Sequence, residues 1–113
     1  MDKKELSQTS TKDEPRADEL RATYLDLINH QLPTKVQQVP MPVRWNHCFA
    51  RIVLDNLCGS CWYEHFSCRQ PAYRQLSREQ LAGAIAIAES ILRQPDLCYE
   101  LNRKSLRWRG KSA

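Results

Sequence analysis

The chain has 113 residues, of which 42% are hydrophobic and 27% charged. That supports one ordinary globular core, and the length fits one domain. No apolar run approaches the ~20 residues that cross a bilayer, and a formal net charge of +4 permits an anionic partner without requiring one.

The opening stretch, MDKKELSQTSTKDEP, has no apolar signal region, which argues against secretion. Five cysteines is an odd count for a disulfide framework. It points to reduced thiols and a cytoplasmic address. Residues 1–12 are polar and aperiodic, as expected of a disordered arm, and 13–113 form the single helical domain. Asp13-Glu14-Pro15 suits a helix start. Ala17, Leu20, Tyr24, Leu27 and Ile28 then recur at helical spacing to about Gln31, where Pro33 is expected to stop the helix. Residues 33–43, with three prolines, read as an extended connector whose Val36, Val39, Met41 and Val43 lie along the core.

The stretch from Trp45 to Cys68 carries two of the three tryptophans and four of the five cysteines. Phe49, Ile52, Val53 and Asn56 fall on one face of a helix, and Ala50, Leu54 and Leu57 widen that face enough for contact from two sides. His47, Arg51 and Asp55 occupy the remaining narrow face. Gly59 ends the helix in a left-handed position, and Ser60 is placed to cap a short second helix with Cys61, Trp62, His65 and Phe66. After Pro71, Ser77 and Gln80 match a capping box. Leu81, Ala84, Ile85, Ala88 and Leu92 follow as a clean stripe ending near Arg93. Small residues here (Ala82, Gly83, Ala84, Ala86, Ala88) allow a neighbouring helix to approach closely. Asp96 is placed to cap a last helix on which Leu97, Leu101 and Trp108 share a face. The expected fold is all-α, a compact bundle of four to five helices.

Three places suit chemistry or binding. Cys58, Cys61, His65 and Cys68 are soft ligands of the kind zinc takes, spaced C-x2-C-x3-H-x2-C. That is shorter than a zinc knuckle. A redox role for Cys58-Gly-Ser-Cys61 needs a βαβ setting that is absent here. Reduced cysteines more often serve as small buried apolar residues. His47, Arg51 and Asp55 form a polar ridge fit to grip a polar partner, or simply a solvated face with weak ion pairs. Arg103, Lys104, Arg107, Trp108, Arg109 and Lys111 form a basic C-terminal segment able to neutralise phosphates and stack on a base. Cations at a helix C-terminus also complement its dipole. Residues 46–66 do not read as a helix-turn-helix, because Asp55 stands where a small residue is wanted.

The stretches VRWNHCFARIVLD, PAYRQLSREQLAGAIAIAESI and LNRKSLRWRGK together resemble short bacterial proteins of unassigned role, some labelled GCN5-related acetyltransferase, over about residues 39–111. The label implies an α/β fold and a Q/R-x-x-G-x-G/A loop for the coenzyme. The three glycines, at 59, 83 and 110, form no such loop, so no catalytic residue is carried over. The expected function is binding rather than catalysis. The partner is an anionic macromolecule, nucleic acid or an acidic protein surface; the alternatives are the zinc or redox site and, from the resemblance, an acetyltransferase-labelled family member without a recognisable coenzyme loop.

Overall fold

A computed structural model describes residues 16–111; the arm expected over residues 1–12 and the start at Asp13–Pro15 lie outside them. The described residues are all helix and connection, with no strand. Helix α1 spans Ala17–Asp26, a π-turn Leu27–Gln31, α2 Leu32–Val36, α3 Asn46–Cys58, α4 Arg78–Arg93 and α5 Leu97–Trp108. Two single 3₁₀ turns, Trp62–Glu64 and Ala72–Arg74, sit between α3 and α4. None of these helices is long and apolar enough to cross a membrane.

Pro33 does not stop the first helix, contrary to expectation. The chain continues helical through it to Val36 because a π-turn precedes it. There the Leu32 amide reaches the Leu27 carbonyl, five residues back. A π-turn holds one residue more than an α-turn, and Pro33 then falls in the first turn of α2, as its second residue, where the missing N–H is little felt. The widened turn is latched outside by Asp26. Its carboxylate accepts from Gln31 Nε2 at 2.7 Å and pairs with His30 Nδ1 at 3.1 Å. Those bonds hold the Asp26 carboxyl below the usual carboxylate range, Gln31 contributing most. The extended connector is therefore shorter than 33–43. Of the four residues expected along the core, Val36 at the end of α2 and Met41 and Val43 in the connector pack against it, whereas Val39 is not among the side chains packed there.

Helix α3 is the central element, packed against α4, α5 and the π-turn, as its wide apolar arc requires. Phe49, Ile52 and Val53 are fully buried and share one core with Leu81, Ala84, Ala88 and Ile91 of α4 and with Tyr24, Leu27, Ile28 and Leu32. Each large aliphatic or aromatic side chain so buried contributes roughly 1.5–3 kcal/mol. Ile91 takes the fully buried place expected of Leu92, which lies half-buried at the edge.

The local punctuation is largely as expected. The Ser77 box is formed: Ser77 Oγ accepts from the Gln80 amide at 3.1 Å, and Gln80 Oε1 accepts from the Ser77 amide at 2.8 Å. Gly59 ends α3 at φ 73°. A Cβ at Gly83 would stand 2.9 Å from Leu57 Cδ1, so α3 and α4 do approach closely over the small-residue stretch. Asp96 holds the N-cap position of α5 but makes no side-chain cap bond. The segment after Gly59 forms only one 3₁₀ turn, and Ser60 does not cap it.

Candidate functional site

His47, Arg51 and Asp55 lie one turn apart along α3; His47 is exposed, but Arg51 and Asp55 are not a solvated ridge. They turn toward the C-terminal half of α5, and Asp55 is 0% exposed. A buried carboxylate is costly unless fully hydrogen-bonded, and this one is. Oδ1 accepts from the Trp62 amide at 2.9 Å and from Arg109 Nη2 at 3.0 Å. Oδ2 accepts from Ser105 Oγ at 2.6 Å and Arg109 Nε at 2.7 Å. The two bonds from Arg109 make the planar fork that matches a carboxylate.

Local sequence explains this convergence. Gly59 reverses the chain four residues after Asp55, so the Gly59 and Ser60 amides close on the Asp55 carbonyl. The Trp62 amide then returns to the Asp55 carboxylate. Asp55, rather than Ser60, thus holds the start of the 3₁₀ turn. On α5, Asn102, Ser105 and Arg109 follow at three- and four-residue spacing and present one polar face inward. Arg51 donates Nη1 to Ser105 Oγ at 2.8 Å and Nη2 to Asn102 Oδ1 at 2.9 Å. Asn56 Nδ2 donates to the Leu101 carbonyl at 3.0 Å. Helices α3 and α5 are therefore joined by polar bonds as well as by packing.

Arg109 of the basic segment is thus anchored inside the fold by Asp55, and its guanidinium lies 5.0 Å from the Tyr63 ring centre. The hydrogen bonds it donates to Asp55 push its pKa further up, so it stays charged. The rest of the basic segment is exposed or half-exposed on α5 and just beyond it. Lys104 meets Glu100 at 3.7 Å, whereas Arg103, Arg107 and Lys111 have no ion pair among the described residues. Gly110, at φ 77°, turns the chain so that its own amide bonds the Arg107 carbonyl and the Lys111 amide bonds the Leu106 carbonyl. This left-handed cap fixes where Lys111 leaves the helix. Trp108 is half-buried and is not among the side chains packed on the core.

The cysteine cluster does not gather as a metal centre. Among the described residues no group of three or more His, Cys, Asp and Glu is placed to hold a metal ion. All five cysteines are free thiols. Burial and nearby Asp55 push the Cys58 thiol up, the opposite of an activated thiol. His65 instead bonds Ser60 Oγ through Nε2 at 2.7 Å. No hydrogen bond orients the other ring nitrogen among the described residues, so this exposed pair lacks the third member of a nucleophilic triad.

Arg51 and Arg109 also line a cleft of about 460 Å³ between α1, the π-turn, the N-terminal half of α3 and the two 3₁₀ turns. Tyr24, Trp62, Tyr63 and Tyr73 supply its aromatic surface, and His47 stands at its edge. The ridge and the basic segment, far apart in sequence, thus each send one arginine to the same place. Tyr24, Tyr63, Asn102 and Ser105 were not singled out as site residues from sequence. The signal for the last two was the spacing Asn102, Ser105, Arg109 on one face of α5. Compared with known proteins, the chain matches no family model, no curated protein and no solved structure.

Proposed function

We propose that this chain is a small helical binding protein that holds an anionic macromolecule, single-stranded nucleic acid, along the exposed side of α5. The observation that carries this reading is a set of cations without carboxylate partners among the described residues. Arg103, Arg107 and Lys111 are exposed. Arg103 and Arg107 stand one turn apart, about 6 Å along α5, and Lys111 follows just past the left-handed Gly110. Trp108 lies beside them with its ring outside the core, so a base has a stacking surface next to the phosphate contacts. The Lys104–Glu100 pair adds little either way, because exposed pairs contribute only ~0–1 kcal/mol.

The test is a titration of the full chain with a fluorescent single-stranded oligonucleotide at two salt concentrations. Each phosphate contact on a single strand contributes about −0.7 to the slope of log K against log salt, so three contacts give roughly −2. Joint replacement of Arg103, Arg107 and Lys111 by alanine is expected to remove most of that slope and at least tenfold in affinity. No binding at low salt ends this reading. Preference for polyglutamate over the oligonucleotide reassigns the partner to an acidic protein surface.

A further inference from the structure

We infer that the cleft lined by Tyr24, Arg51, Tyr63 and Arg109 is a binding site for a phosphorylated nucleoside, either free or as the terminal nucleotide of a strand. It uses none of the cations Arg103, Arg107 and Lys111, so it stands apart from the α5 surface proposed above.

Charge comes first. Arg51, Arg109 and His47 line the cleft, and no carboxylate does. The one acid nearby, Asp55, is fully buried behind it, paired with Arg109 and reached by Arg51 only through the Ser105 hydroxyl. The three groups together leave one positive charge uncompensated at the cleft wall. Each guanidinium carries five N–H donors. Arg51 uses two donors on Ser105 and Asn102, and Arg109 uses two on Asp55. Both are held in place with donors left over, the preorganised condition under which an anion is bound without ordering cost.

The second observation concerns Tyr24. Its side chain is 3% exposed and lines the cleft. Its hydroxyl makes no hydrogen bond to a described residue, yet no buried side-chain nitrogen or oxygen among those residues is sealed without a partner. The hydroxyl therefore opens onto the cleft. Such a hydroxyl, in a side chain this buried, is a donor and acceptor left to whatever enters the cleft. Beside it Asn29 Oδ1 accepts from Asn46 Nδ2 at 2.9 Å, which leaves the Asn29 amide hydrogens available at the rim.

The remaining wall is aromatic. Trp62 and Tyr63 stand edge to face, their ring centres 4.7 Å apart, and Tyr63 is 55% exposed. A planar ring is the group such a wall receives, and a hollow of about 460 Å³ falls within the ~300–1,000 Å³ of small-ligand sites. An anion on the guanidiniums, a ring on the aromatic wall, and polar ring or sugar edges at Tyr24 and Asn29 together describe a nucleoside phosphate.

The experiment titrates the full chain with adenosine 5′-monophosphate, with adenosine and inorganic phosphate as separate arms, followed by tryptophan fluorescence and calorimetry. The nucleotide is expected to bind saturably, with adenosine and phosphate each at least tenfold weaker. Tyr24→Phe, which removes one oxygen, and Tyr63→Ala, at an exposed position, should each weaken it several-fold while the unfolding midpoint stays in place. The alanine variant of Arg103, Arg107 and Lys111 should bind it as the native chain does. A 5′-phosphorylated oligonucleotide that displaces the nucleotide, where its unphosphorylated form does not, supports the site and names a strand end as the source. Displacement by neither supports the site with a free nucleotide as occupant. No saturable binding at millimolar nucleotide, adenosine binding as tightly as its phosphate, or affinity unmoved in both tyrosine variants overturns the inference.

Discussion

Asp55→Ala is the perturbation that most directly tests the polar junction between α3 and α5. The native carboxylate is 0% exposed and accepts four hydrogen bonds, two of them from Arg109. Removing one member of a buried ion pair costs roughly 3–5 kcal/mol, because the other charge is left uncompensated. Here the Arg109 side chain is 17% exposed, so part of its guanidinium can recover water. The Trp62 amide and Ser105 hydroxyl lose their acceptor as well. The expected loss is about 3 kcal/mol, roughly a fifth or more of the stability of a domain this size. Urea denaturation of both proteins measures it as a shift in midpoint at constant slope. Arg109→Ala should cost a similar amount, since it strands the carboxylate, and the double variant should cost clearly less than the sum of the two. A cost below about 1 kcal/mol for Asp55→Ala, the range of an exposed pair, would refute the reasoning and return Asp55 to the solvated ridge.

Two further outcomes follow from burial. Phe49→Ala should cost about 3–5 kcal/mol through lost burial and a cavity, and Arg51→Ala about 1.5–3 kcal/mol through its bonds to Ser105 and Asn102; denaturation of the pair checks that order. Burial pushes the Cys98 thiol up to about 11, so the neutral thiol is the form the fold favours. Its contribution is complete below the unfolded thiol pKa and is lost as pH rises toward 11, by at most about 1.4 kcal/mol per pH unit. The stability gap between the native chain and Cys98→Ala should therefore narrow across that alkaline window, and an unchanged gap in denaturation midpoints would count against it.

What the sequence made legible was local. The Ser77–Gln80 box, the left-handed Gly59, the apolar face of α3 and the stripe on α4 each depend on spacing within a few turns, and they appear as read but for Ile91 in the place of Leu92. The fate of Asp55 was not legible, because its partners Ser105 and Arg109 lie 50 and 54 residues along the chain. A His, Arg, Asp row at four-residue spacing is identical whether it meets water or another helix. Cys98 and Ser105 escaped notice for a related reason. Both are small and neither weights an apolar stripe, yet both are fully buried on the inner face of α5. Leu97 and Trp108 drew the expected face around by a quarter turn or so. The arginine from the ridge and the one from the basic segment were each visible as candidates, but their meeting depended on that same long-range closure.

The π-turn has a consequence for how the chain tolerates change in length. Each residue of an α-helix advances the facing direction by about 100°, so the extra residue between Asp26 and Leu32 sets the rotational phase of α1 against everything after it. Deleting one residue there would leave composition and charge nearly untouched and restore a regular helix. Leu20 and Tyr24 would then swing off α4 and out of the cleft. Pro33 would also lose its place at a fresh start and press on the carbonyl four residues before it. The wide turn and the proline thus act as a matched pair, and a one-residue deletion at this point is worse for the molecule than most single substitutions in its core.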